Sequence, residues 1–144
     1  MDTPAPEPHR QLVLKNPDNW PHMEAALTDV LHGPRGTARA AGHGAQYRIA
    51  GKSGTAQVFS LASDVEYKDL DVAERLRDHA LFVAFAPVDN PAIAVAVLVE
   101  NGESGGRTAG PVARAVMDAW LLDGNGSLRD LSKPRLQPDE GAAL

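Results

Sequence analysis

The run Gly51-Lys52-Ser53-Gly54-Thr55-Ala56-Gln57 carries the residues best equipped for chemistry. In an extended strand, Lys52 offers a positive charge, Ser53 and Thr55 offer short hydroxyl donors, and Gly54 omits a Cβ where another backbone has to approach. At a sheet edge the strand's own N–H and C=O groups can also pair with an extended peptide. Together these suit a peptide ending in a carboxylate, each charge-assisted hydrogen bond contributing about 1.5–3 kcal/mol. Alternation puts Lys52 on one face and Ser53 and Thr55 on the other, so a ligand meeting all three lies along the edge. That predicts an outer strand. Only four lysines (15, 52, 68 and 133) stand against ten arginines, so Lys52 is not scattered surface filler.

Two other readings of the same residues exist. Gly-Lys-Ser also ends a phosphate-binding loop, but that loop needs Gly at position 46, where this chain has Gln46, and a helix opening at Lys52. Gly54 to Val58 continues as strand instead. The plainer alternative is a solvated strand with an incidental tripeptide. The five histidines (9, 22, 32, 43 and 79) show no metal-binding spacing, so neither a metal nor another cofactor is expected. Without cysteine, disulfides and thiolate sites are excluded. A net charge of −5 with no basic run gives no electrostatic case for nucleic acid. Asp69, Asp71 and Glu74 read as a solvated face, and Trp20 and Trp120 as core or interface anchors. The sequence has no apolar stretch of membrane-span length, and Met1 to Arg10 is Pro-rich and acidic rather than an export signal. Taken literally, the chain is neither exported nor anchored, and cytoplasmic as it stands.

The elements that would position the heptapeptide read as an α+β domain. Residues 1–15, with prolines at 4, 6 and 8, form an extended lead-in. Met23, Ala26, Leu27, Val30 and Leu31 make an apolar stripe that predicts a helix over 20–32, stopped by Gly33-Pro34. A strand is expected over Tyr47–Phe59 and a short helix near 71–77. Ala80–Ala86 and Ile93–Val99 read as a strand pair joined by a Pro-rich turn. In the second of these, Ile93, Val95, Val97 and Val99 share one face, and the Ala94 and Ala96 face is expected to receive a helix. Val112, Ala115, Val116, Ala119 and Trp120 supply that helix's stripe, with Pro111 in its first turn. Residues 123–144 read as a disordered tail. Consecutive strands lying adjacent give an antiparallel three-stranded sheet with packed N- and C-terminal helices.

The stretch Tyr47 to Gln57 resembles the third-motif strand of the class B penicillin-binding proteins, the monofunctional peptidoglycan transpeptidases. Gly36-Thr37-Ala38, Arg77-Asp78-His79-Ala80-Leu81-Phe82, Phe85-Ala86-Pro87 and Val99-Glu100-Asn101-Gly102 ahead of Gly105-Gly106 are similar to the elongation-type branch. The likeness runs over roughly 17–122 in the family's own order, with 16–122 as the C-terminal portion of a transpeptidase domain. It implies that Lys52 binds the substrate carboxylate and passes protons. It also implies that Ser53, Gly54, Thr55 and Gln57 contact a D-Ala-D-Ala stem peptide or a β-lactam, and that the Thr55 N–H forms half of an oxyanion hole. Asp78 and His79 would lie beside the site, though a histidine at a strand entrance also reads as a hydrogen-bonded structural residue.

The family's other two motifs, Ser-x-x-Lys and Ser-x-Asn, are missing. Serines 53, 60, 63, 104, 127 and 132 are followed three residues on by Ala56, Ser63, Glu66, Arg107, Asp130 and Arg135, and none has Asn two residues on. The resemblance therefore implies a fragment, inactive alone, whose partner is the upstream part of the domain. The 93–99 strand, lacking that neighbour, would be exposed to self-association. A full-length family member would act at the periplasmic face of the inner membrane. A non-enzymatic binding protein or a gene remnant derived from such a domain is the alternative.

Overall fold

The computed structural model describes residues 13–57 and 77–132. The elements run α1 (Asn19–His32), α2 (Arg39–Gly42), β1 (Ala50–Ala56), β2 (His79–Ala86), β3 (Ile93–Val99), a π-helical turn (Gly105–Ala109) and α3 (Gly110–Leu121). Residues 71–76 of the short helix expected near 71–77, Val58 and Phe59 at the end of the expected first strand, and residues 1–12 of the expected lead-in lie outside the described residues.

Among the described residues the three strands form one antiparallel sheet in the order β1-β2-β3, with β1 at an edge as expected from the sequence. Phe82 sits across from both Ser53 and Val97, and Val83 from both Lys52 and Ala96. Since directly paired residues share a face, one face carries Gly51, Ser53, Thr55, Ala80, Phe82, Ala84 and the β3 branched residues. That face holds the core. Ala80, Phe82, Ala84 and Ala86 pack there with Ala109, Ala113, Met117 and Leu121, and Ile93, Val95, Val97 and Val99 close over them.

This corrects two sequence expectations. The helix packs on the branched face of β3, while Ala94, Ala96 and Leu98 are exposed on the other. The small residues that admit a close helix are on β2 and on α3 itself. The buried stripe of α3 is Ala113, Met117 and Leu121, and Val112, Val116 and Trp120 face outward. α3 is apolar on two sides, so spacing alone cannot choose between them. The phase is set by the π-helical turn, where the Gly110 N–H reaches back five residues to the Gly105 carbonyl. In α1, likewise, Thr28 and Leu31 are buried while Met23 is exposed, because only the C-terminal half of that helix meets the core. Buried Thr28 satisfies its hydroxyl by donating to the Glu24 carbonyl at 2.8 Å.

Backbone close approaches hold the layers together. A Cβ added to Gly105 would collide with the carbonyl oxygens of Leu81 and Gly54, and one added to Gly106 with that of Thr37. A polar clamp adds to this on the α3 side. Tyr47 donates its hydroxyl to Asp118 Oδ1 at 2.6 Å, and Arg114 Nε donates to both Asp118 oxygens at 2.7 and 2.8 Å. Arg114 Nη1 also donates to the Ala41 carbonyl at 3.0 Å, tying α2 to α3. Burial, with the Asp118 carboxylate accepting its proton, pushes the Tyr47 phenol well above its ordinary value. After α3 the chain turns back rather than trailing off. Leu122 bridges Leu128, the Arg129 N–H donates to Leu121 O, and Leu131 packs on the core. Residues 133–144 of the expected tail lie outside the described residues.

The lead into β1 is fixed by His32, whose Nε2 accepts the Ile49 N–H at 3.0 Å. Burial first, then the charges of Arg48 and Arg114, lower the His32 pKa from 6.5. The unfolded chain therefore binds this proton more tightly than the folded one. Stability from His32 is complete above the ordinary value and lost as pH falls through the lowered one. The melting temperature of the chain is expected to fall between about pH 7 and about pH 5 more steeply than that of His32→Gln, which has no charge to gain. Equal slopes for the two proteins in thermal denaturation would contradict this.

Candidate carboxylate site on the edge strand

β1 delivers its side chains to opposite sides of an edge. Lys52 projects on the face it shares with Val83 and is exposed, its Nζ donating back to the Ser53 carbonyl. Ser53 and Thr55 lie on the core-side face, across from Phe82 and Ala80. Between them, a Cβ at Gly54 would meet only Leu81 Cβ, at 3.4 Å, so the backbone there is open on the Lys52 side. The alternation inferred from the sequence is therefore present in the register, and Lys52 sits mid-strand, not at a helix N-terminus.

Each hydroxyl has a neighbour. Ser53 Oγ lies 3.1 Å from Thr37 Oγ1, and Thr55 Oγ1 donates to the Glu103 carbonyl at 3.5 Å. Thr37 also lines, with Lys52, Arg35 and the last turn of α1, a cleft of about 390 Å³. In the sequence Thr37 stands out only within the family-like tripeptide Gly36-Thr37-Ala38. Its proximity to Ser53 spans sixteen residues, and no local pattern encodes that. Gln57 is exposed just past the end of β1.

Asp78 and His79 are at the far end of the strand from Lys52, near Thr55 and Ala56. His79 pairs across from Ala56, and its Nδ1 accepts the Asn101 N–H at 3.0 Å. The Asp78 carbonyl accepts the Glu103 N–H at 2.8 Å, and Asn101 Nδ2 donates to Arg77 O at 3.0 Å. Asn101 and Glu103 both take left-handed backbone conformations, with φ of 56° and 59°. Asp78 and His79 thus help hold a strained turn whose Glu103 carbonyl receives Thr55. Among the described residues, no three metal-ligating side chains come together, and no helix is long and apolar enough to cross a membrane.

Comparison with known proteins assigns the family and the fold. The model of the penicillin binding protein transpeptidase domain matches residues 3–118. The chain is 45% identical over 102 residues to the peptidoglycan D,D-transpeptidase MrdA of Haemophilus influenzae, covering 71% of this chain and 16% of that one. It is 47% identical over 105 residues to MrdA of Acinetobacter baumannii, covering 73% of this chain and 15% of the relative. Among solved structures, Pseudomonas aeruginosa PBP2 in complex with WCK 5153 superposes with a TM-score of 0.72 at 49% identity, over 93% of this chain and 26% of that one. Helicobacter pylori PBP2, in complex with MreC, gives 0.55 at 29% identity, over 72% and 17%. The chain thus spans about a sixth of the length of the curated relatives it matches. With both its sequence and its α+β layer accounted for by one domain, the chain belongs to the penicillin-binding protein transpeptidase family, as a fragment of the penicillin-binding protein 2 type.

Proposed function

We propose that residues 16–122 supply the carboxylate-recognising wall of a peptidoglycan D,D-transpeptidase site and are inactive until joined to the part of the domain that brings the nucleophile. The observation that carries this reading is β1 at the sheet edge, with Lys52 on one face and Ser53 and Thr55 on the other. In it, Lys52 binds the terminal carboxylate of a D-Ala-D-Ala stem peptide or a β-lactam and relays protons. Ser53 and Thr55 hydrogen-bond the same carboxylate, Gly54 admits the peptide backbone, and Gln57 contacts the chain further along. The Thr55 N–H stabilises the oxyanion of the tetrahedral intermediate. The acyl-enzyme itself requires a serine next to a base, and no Ser-x-x-Lys is present in these 144 residues. The full-length protein would work at the periplasmic face of the inner membrane.

Two outcomes follow. A fluorescent penicillin is expected to leave the 144-residue chain unlabelled, and to label it when it is joined to an upstream segment carrying Ser-x-x-Lys and Ser-x-Asn. In the joined protein, Lys52→Ala should slow acylation by about 10²- to 10⁴-fold, because charge and proton transfer are lost together. Ser53→Ala should cost less, since Thr55 and Lys52 still address the carboxylate. Hydroxylamine-sensitive label on the chain alone, or an unaffected Lys52→Ala rate, would overturn the assignment.

The second outcome concerns β3. Its outer edge pairs with no other strand among the described residues, and Ile93–Val99 carries no charge. Such an edge recruits other chains. The isolated chain is expected to self-associate as concentration rises, by light scattering, and Leu98→Lys, on the exposed face of β3, should suppress it. A sharply monomeric species at high concentration would contradict the open edge.

A further inference from the structure

Thr37 stands beside β1 at Ser53. It lines, with Lys52, the cleft of about 390 Å³, and its Oγ1 lies 3.1 Å from Ser53 Oγ, on the strand's other face. β2 fills the inner side of the strand, so a residue beside both Lys52 and Ser53 stands at the outer edge. Its backbone is held there. The Ala38 N–H donates to Val30 O at 3.0 Å, and a Cβ on Gly36 would collide with the last turn of α1. Gly106, for the same reason, can only be glycine against the Thr37 carbonyl.

A serine hydroxyl has one proton to give and two lone pairs with which to accept. If Ser53 gives that proton to Thr37, none is left for an anion. If Thr37 donates instead, the Ser53 proton is freed, and its bond to an acceptor is strengthened by the chain of two. A carboxylate can only accept, so its arrival selects the second arrangement.

We propose that Thr37 is a positioning residue for carboxylate recognition: it donates to Ser53 Oγ, turns the Ser53 proton toward the ligand, and closes the strand edge where the peptide has to end. This rests on the carboxylate-binding reading of β1 given above. Because Thr37 occupies the edge beside Ser53, the site takes a chain terminus and not the middle of a longer peptide.

The test uses the 144-residue chain and diacetyl-Lys-D-Ala-D-Ala, with binding read from the amide resonances of Lys52 to Thr55. Thr37→Val and Thr37→Ala, which lack the hydroxyl with and without its bulk, should each weaken binding about five- to tenfold, the loss of one hydrogen bond. Thr37→Ser should restore it. Combined with Ser53→Ala, Thr37→Val should add little, since both break the same chain. Amide positions in β2 and β3 unchanged from the parent establish that the variants fold. Parental affinity in both Thr37→Val and Thr37→Ala, or losses that simply add to Ser53→Ala, would overturn the role of Thr37 while leaving the site intact. No saturable shift in the parent would remove the carboxylate reading itself, and the Thr37 role with it.

Discussion

Three backbones meet at Gly105–Gly106 with no room for a side chain, and the rest of the arrangement depends on that contact. Gly105 lies against Gly54 of β1 and Leu81 of β2, and Gly106 lies against Thr37. The same residues open the π-helical turn that sets the rotational phase of α3. One close approach therefore fixes the height of the Thr37 loop beside Ser53, supports the motif strand from its core side, and decides which stripe of the last helix is buried. A larger residue at Gly105 would press on β1 and β2, and one at Gly106 on the Thr37 loop.

How much of this could be read from the sequence follows from which interactions are local. The edge position of β1 and the faces of Lys52, Ser53 and Thr55 follow from chemistry and period-two alternation, and both are present. Ile93–Val99 was bounded by turn residues and charge, and its limits match the expectation. Periodicity predicts α3 but not its buried face, because Val112, Ala115, Val116, Ala119 and Trp120 obey the helical period as well as the buried Ala113, Met117 and Leu121 do. Nothing in periodicity ranks an outward Val above an inward Ala. The missing information was the extra residue in the π-helical turn. Thr37 carries no local signal of its role, because its partner Ser53 is sixteen residues away.

Asp78 and His79 show how a family likeness and a physical role can differ. The resemblance placed them beside the site, and they do lie near its Thr55 end. Their visible work is to hold the turn at Asn101–Glu103, which carries two left-handed non-glycine residues and receives the Thr55 hydroxyl. The strand is thus held by side-chain hydroxyls at its middle, through Thr37 at Ser53, and near its end, through Glu103 at Thr55. The Lys52 side stays open beside the cleft at the end of α1.

The proposed recognition of a peptide carboxylate along the edge of β1 is open to direct observation in a crystal structure of the chain bound to a peptide ending in D-Ala-D-Ala. An extended peptide is expected beside β1, its terminal carboxylate within about 3.2 Å of the Ser53 hydroxyl and reached by Lys52 Nζ, with Thr37 bonded to Ser53 behind it. A peptide seated elsewhere, or one at β1 whose carboxylate points away from Ser53 and Lys52, would contradict it.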